Sequence, residues 1–242
     1  MAENQAYAYD YDGIGPGYYD DVFRRCAGIQ SKWHHLKFRH VYANFPAGVR
    51  DHLDIGCGPG TFIGTLPQEI RCIGTDLASA QIDYANREYG SPTRSFVCVR
   101  DDTLPFEPAR FDAVTLIELI EHLQPAAIDR LLKEVRRVLR PGGRLLLTTP
   151  NYAGFWPLLE KVVNARAPVS YENQHITFFT PEKLQSLLDA QGFADVRVTT
   201  FQGVAPFVAA VSWKLADRVQ ILENPVLARA MGFLLLGSAL NP

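Results

Sequence analysis

A glycine-rich turn between a short apolar strand and a helix constrains the fold of this chain more than any other feature. The turn lies in LDIGCGPGTF, residues 53–62, and its spacing is GxGxG rather than the GxGxxG of nicotinamide-binding domains. Only glycine lets the backbone come close to a ligand here, and the following helix offers unpaired N–H groups. An acidic residue, Asp76, ends the next strand, where its side chain can bind both hydroxyls of a ribose or cap a helix.

Short apolar strands alternate with helices along most of the chain. The predicted strands are DHLDIG, IRCIGTD, RSFVCV, FDAVTLIE, GGRLLLTTP and residues 193–200. The predicted helices cover residues 61–67, 78–89, 125–139 and 181–190. This order implies right-handed βαβ units, so we expect an α/β fold with a doubly wound, mostly parallel sheet.

We expect one domain over residues 1–242, made of four parts. A head, 1–50, carries an amphipathic helix in QSKWHHLKFRHVYANF; residues 51–150 form the ligand-binding core. The aromatic segment 151–180 is too long for a plain connector and predicts a lid. Residues 181–242 complete the sheet and end in an apolar tail, 201–242. That tail is buried against the lid or a second copy in a homodimer, lies on a membrane surface, or wraps an apolar substrate.

Composition excludes several classes of protein. The 24 Lys and Arg nearly balance the 26 Asp and Glu, which argues against general nucleic-acid binding. The four cysteines form no CxxC pair, so we expect reduced thiols rather than a disulfide framework or a cysteine zinc site. The N-terminus does not resemble a signal peptide, and no 18-residue uncharged apolar span occurs. We therefore expect a cytoplasmic protein that does not span a membrane.

From about residue 50 to 200 the chain resembles the class I S-adenosylmethionine-dependent methyltransferases. The resemblance rests on LDIGCGPG, GTDLASAQIDYA, DDTLPF, FDAVTLIELIEHL and RVLRPGGRLLLTTPN, in that order. It implies a Rossmann-like, seven-stranded sheet with S-adenosylmethionine as cofactor. Gly56, Gly58 and Gly60 would then surround the methionyl part, with Asp54 near its amino group. The remaining expected contacts are Asp76 at the ribose, Asp101 or Asp102 at the adenine, and Leu77 and Glu118.

A second group of candidate residues comprises Glu118, Glu121, His122 and His175. The first three follow a strand at its carboxyl end, and His175 lies in the lid segment. Two carboxylates and two imidazoles would make a divalent-ion site that activates a bound hydroxyl. The pattern resembles the Glu-x-x-Glu-His motif of metal-dependent methyltransferases of small-RNA ends and of ubiquinone-pathway O-methyltransferases.

Metal-free roles for the same residues are the alternative. His122 would then act as general base or pack in its turn, Glu121 would assist catalysis, and His175 would line the pocket. In either case we expect O-methylation of a small or lipid-like hydroxylated acceptor. The main alternative hypothesis is a sugar or natural-product O- or N-methyltransferase. An NAD(P)-dependent oxidoreductase and a non-catalytic cofactor-binding protein are the alternatives from other classes.

Overall fold

The computed structural model describes residues 15–101, 103–166, 174–223 and 232–242, with backbone only for 162–166. The strands are β1 Asp51–Ile55, β2 Arg71–Asp76, β3 Arg94–Cys98, β4 Phe111–Ile117, β5 Leu139–Pro150, β6 Ala194–Phe201 and β7 Leu234–Leu240. The helices are α1 Tyr18–Arg24, α2 Gly28–Ala43, α3 Thr61–Thr65, α4 Ser79–Tyr89, α5 Pro125–Val138, α6 Trp156–Arg166, α7 Pro181–Ala190, α8 Ala205–Val208 and α9 Trp213–Glu223.

The seven strands form one sheet in the order β3-β2-β1-β4-β5-β7-β6. Strands β1 to β5 pair in parallel, and β7 pairs antiparallel with both β5 and β6. The predicted doubly wound, mostly parallel sheet is confirmed. The strand order reverses next to β1, so the crevice at the carboxyl ends of β1 and β4 is where such a sheet binds ligands.

Helix α5 shows how the sequence dictates these elements. Ile128, Leu132 and Val135 recur at helical spacing and are buried, while Pro125 occupies the first turn, where its missing N–H costs nothing. The helix was predicted to end at residue 139 but ends at Val138, and residue 139 begins β5.

The apolar tail contains the strand that the sequence reading missed. Residues 234–240 form β7, an interior strand whose Leu234 and Leu235 are completely buried. This part of the tail is therefore covered by the sheet's own packing and cannot lie on a membrane or wrap a substrate. Helix α1 was also missed, whereas the head helix is confirmed as α2, beginning two residues earlier than QSKWHH.

The two faces of the sheet carry separate apolar clusters. On one face, α5 and α7 pack on the sheet through residues such as Leu132 and Leu188. On the other face, α2, α3 and α4 pack through Val41, Ile63 and Ile82. No helix in the described part of the chain is both long and apolar enough to cross a membrane.

Candidate functional site

A cavity of about 700 Å³ opens at the carboxyl ends of β1, β2 and β4. Helices α1 and α2 and the segment around α6 supply its other walls. Cavities of roughly 300–1,000 Å³ are typical for small-molecule sites. The predicted residues that line it are Asp54, Gly56, Gly58, Asp76, Leu77, Asp101, Glu118, Glu121, His122 and His175. Asp102 lies outside the described residues.

The glycine turn adopts a backbone conformation that other residues rarely reach. Gly56, Gly58 and Gly60 have φ values of 75°, 51° and 78°. At Gly60 a Cβ would lie 2.6 Å from Phe96 Cε1, whereas at Gly58 it would meet nothing within 4 Å. Glycine is therefore required at position 60, because a side chain there would clash with Phe96. At position 58 the space beside the backbone is empty, and this part of the turn faces the cavity.

Asp76 fastens the glycine turn to the start of α4. One carboxylate oxygen accepts a 2.9 Å hydrogen bond from the backbone N–H of Gly58, and the other accepts one of 2.9 Å from the N–H of Ala78. Asp76 does not cap α4, whose N-cap residue is Ala78, but closes a local turn ahead of it. The same side chain also lines the cavity, so one carboxylate serves both the turn and the ligand space.

Asp54 is a buried carboxyl group beneath the turn. Its oxygen accepts a 2.5 Å hydrogen bond from Thr115 Oγ1, which in turn lies 2.8 Å from His52 Nε2. Burial, only partly offset by the Thr115 hydrogen bond, raises the pKa of Asp54 to about 7. The carboxyl group of Asp54 therefore changes charge near neutral pH, and a nearby cation would favour its ionised form.

Glu121, His122 and His175 converge on one point of the cavity. One potential ligand atom from each residue lies within 4.8 Å of the others. Neither oxygen of Glu121 has a well-formed hydrogen bond to a described residue, although the nearby Thr149 hydroxyl favours the charged form. Burial, followed by the charge of Glu118, raises the pKa of Glu121 to about 8.

Hydrogen bonds fix the tautomers of both histidines. His122 Nδ1 lies 2.9 Å from the carbonyl oxygen of Gln174, and His175 Nδ1 lies 2.6 Å from a carboxylate oxygen of Glu160. Because the Gln174 carbonyl and the Glu160 carboxylate only accept, each neutral ring carries its proton on Nδ1 and its lone pair on Nε2. The Tyr152 hydroxyl, 2.8 Å from the same nitrogen of His175, then donates to Glu160. Burial lowers the pKa of His122 to about 4 and also lowers that of His175, which keeps the rings neutral.

Glu118 does not join this group as the four-residue prediction required. It follows β4 with a φ of 51°, and its carboxylate pairs with the buried ammonium of Lys37 from α2. The structure thus brings three of the four predicted ligands together. Glu118 lies outside this group, but close enough for its charge to shift the pKa of each of the three residues.

The sequence did not single out Lys37, His34 or Glu160 as site residues. Lys37 and His34 of α2 line the cavity beside Tyr18 and Tyr19 of α1. Glu160 binds His175 from within α6. No local pattern marks these residues, because their partners are distant in sequence.

A family model described as "Methyltransferase domain" matches residues 21–198 of the chain. A ubiquinone biosynthesis O-methyltransferase of Idiomarina loihiensis is 30% identical over 156 residues, which are 60% of this chain and 62% of that protein. A fatty-acid O-methyltransferase of Mycolicibacterium smegmatis is 35% identical over 142 residues, 57% of this chain and 51% of that protein. The chain thus matches little more than half the length of these relatives.

Solved structures show the same architecture. A crystal structure from Thermotoga maritima, described as a SAM-dependent methyltransferase and possible histamine N-methyltransferase, superposes with a TM-score of 0.65. It is 19% identical and covers 93% of this chain and 94% of that chain. At this identity the likeness establishes the fold alone.

Proposed function

The chain belongs to the methyltransferase domain family, and on that premise we propose that it methylates a hydroxyl group of a small, apolar acceptor with S-adenosylmethionine. One observation carries the proposal. The glycine turn with Asp76 and the group of Glu121, His122 and His175 face the same cavity. A methyl donor at the turn and a hydroxyl at the imidazoles would therefore share one enclosed space.

The residues at the turn fit the cofactor. Asp76 offers carboxylate oxygens for ribose hydroxyls, and the open space beside Gly58 suits a ligand in close contact with the backbone. Asp54 would face the cofactor's amino group, which favours its charged form. When bound, S-adenosylmethionine supplies a methyl group on a positively charged sulfur that is already a good electrophile. The protein has mainly to orient an acceptor, which is worth up to about 7–11 kcal/mol.

The rest of the cavity suits an apolar acceptor. Its walls include aromatic and aliphatic side chains from α2, α6 and the segments around them: Trp33, Phe38, Trp156, Leu159 and Phe207. Such walls gain about 25 cal/mol for each Å² of apolar ligand surface that they bury. The names of the relatives, a ubiquinone biosynthesis and a fatty-acid O-methyltransferase, agree with a lipid-like acceptor.

The histidines provide the proton acceptor for the hydroxyl. A neutral imidazole with its lone pair on Nε2 can take the proton as the methyl group is transferred, an effect worth roughly 10²–10⁴-fold. Glu160, 2.6 Å from His175 Nδ1, would orient that ring and stabilise its charged form. We assign this role to His175 rather than His122, because a carboxylate lies 2.6 Å from His175 Nδ1, whereas the Nδ1 of His122 lies 2.9 Å from the neutral carbonyl of Gln174.

The same three residues also fit a divalent cation. One buried carboxylate and two neutral imidazoles, each with Nδ1 held by an acceptor, are a donor set that such ions accept. Glu121, His122 and His175 would hold the ion and leave positions for the acceptor. A bound ion would lower the pKa of the acceptor hydroxyl. In this arrangement the histidines would serve as ligands instead of bases.

Transfer of a radiolabelled methyl group tests the proposal. The protein is incubated with labelled S-adenosylmethionine and a lipid or metabolite extract, and the labelled product is identified. We expect a methyl ether of an apolar compound and loss of labelling in H175A, but not in H40A, whose ring lies outside the cavity. Cofactor binding without labelling of any extract, or preference for NAD, would contradict the proposal.

Chelation distinguishes the two ways of activating the acceptor hydroxyl, by a histidine base or by a divalent ion. If a divalent ion is required, EDTA abolishes labelling and one added divalent ion restores it. If His175 is the base, EDTA does not change the labelling. The labelling then decreases as the pH is lowered, because the imidazole becomes protonated.

A further inference from the structure

Helix α9 lies on the protein with its apolar side turned outward. Leu215, Ile221 and Leu222 are 45%, 73% and 75% exposed, and Val211 in the preceding turn is 88% exposed. The buried positions of the helix include two polar residues, Gln220 and Glu223. A surface helix of a monomeric protein ordinarily has the opposite arrangement.

The polar side of α9 has a clear structural use. Glu223 accepts hydrogen bonds from the backbone N–H groups of Val204 and Ala205 and so satisfies the first turn of α8. Asp217 pairs with Lys32 at 2.9 Å and with Arg39 at 3.0 Å, both on α2. The helix is thus anchored to α8 and α2 by its acids and by Trp213, whose ring contacts Lys32 and His35, while Leu215, Ile221 and Leu222 remain exposed.

The outward face also carries positive charge. Successive helical residues are about 100° apart, so positions 214, 215, 218, 221 and 222 fall within an arc of about 120°. This arc contains the exposed cations Lys214 and Arg218 and no acid. Neither cation forms an ion pair with another residue of the described chain. We define the α9 face as Val211, Lys214, Leu215, Arg218, Ile221 and Leu222.

We infer that the α9 face binds an anionic lipid surface. Large apolar side chains beside cations on one helix face are what a helix in the plane of a membrane interface needs. The cations complement anionic headgroups, and each adds about fivefold to the partition onto a strongly anionic surface. A second copy of the chain fits less well, because a two-fold axis would bring Lys214 and Arg218 against like charges with no acid between them.

The α9 face is close to the cavity, so binding to lipid there would bring the cavity near the membrane. Helix α8 packs against both α9 and α2, and its Phe207 lines the cavity together with Ile29 of α2, which is 39% exposed. A membrane on the α9 face would be separated from this wall of the cavity by α9 alone. This last step rests on the proposed function, whereas binding to lipid does not.

Vesicle flotation with the full chain tests the inference without any enzymatic activity. We expect the protein to float with vesicles of phosphatidylcholine and phosphatidylglycerol, less so at 0.5 M salt, and not with phosphatidylcholine alone. I221S/L222S should bind at least tenfold more weakly, and K214E/R218E should lose the preference for anionic vesicles. All substituted side chains are exposed, so circular dichroism and Tm should match those of the unchanged protein.

Two single-residue variants distinguish binding through the α9 face from nonspecific hydrophobic adsorption to vesicles. L222S should weaken flotation severalfold, whereas V97S, which removes an exposed apolar side chain on edge strand β3, should not. Equal binding by the L222S and unchanged proteins would overturn the inference. So would an absence of flotation in the unchanged protein, or a dimer in light scattering that L222S dissociates.

Discussion

Replacing Gly58 by alanine tests whether the glycine turn is shaped for a ligand or only for folding. Its φ of 51° lies in the left-handed region, where a Cβ costs about 1–2 kcal/mol. A Cβ there meets nothing within 4 Å, so no steric cost is added. For a chain of this size, we expect Tm to fall by about 2–8 °C.

Gly142 provides the matched control. Its φ of 80° lies in the same region, a Cβ there also meets nothing within 4 Å, and it is remote from the cavity lining. G142A should therefore lower Tm by about as much as G58A. G60A should lower it further, by an extra 1–3 kcal/mol or about 2–12 °C, because its Cβ would lie 2.6 Å from Phe96.

Titration calorimetry with S-adenosylhomocysteine then separates binding from stability. In G58A the added methyl group occupies space that the ligand needs, which costs about 1–3 kcal/mol. We expect affinity to fall roughly 10- to 100-fold in G58A and to stay unchanged in G142A. If G58A bound as tightly as the unchanged protein while losing the same Tm as G142A, the cavity beside Gly58 would not be the cofactor site.

Three further predictions concern acids in the cavity or in contact with its histidines. D76N should weaken S-adenosylhomocysteine binding about 10- to 100-fold through loss of charged hydrogen bonds, whereas D83N, at an exposed position of α4, should not. Affinity should rise as pH increases through about 7 and level off above it, because the ligand's ammonium binds the ionised form of Asp54; D54N should remove this dependence. E160Q should lower kcat and change the pH–rate profile, since Glu160 orients His175, while cofactor affinity stays constant; an unchanged profile would refute that role.

The glycine turn and the first five strands could be predicted because their signals are local. Residues 53–62 combine a strand, three glycines and a helix start within ten positions, and α5 shows its apolar stripe over four turns. Strand β7 could not be predicted in the same way. A short apolar run such as FLLLG has no periodicity that separates a buried strand from a buried helix or a membrane contact. Its identity is decided by pairing with β5 and β6.

The walls of the cavity illustrate a second limit. Asp20 of α1 is completely buried, which a sequence cannot indicate, because Thr61, Tyr84 and Tyr89 donate its hydrogen bonds from other elements. These bonds hold α1 beside the glycine turn. Lys37 likewise reaches the cavity only because α2 crosses the end of β4, where Glu118 meets it. Contacts between distant segments therefore decided which head residues line the site.

The electrostatics of the cavity favour a ligand that carries positive charge. Burial raises the pKa of Asp54 to about 7 and of Glu121 to about 8, and it lowers that of His122 to about 4. At pH 7 Asp54 is then close to half ionised, whereas Glu121 is mostly protonated. A cation at 4 Å gains about 4 kcal/mol in a partly buried site. A sulfonium cofactor with its ammonium group, or a divalent ion at Glu121, would therefore ionise these carboxyls on arrival, whereas a neutral ligand would not.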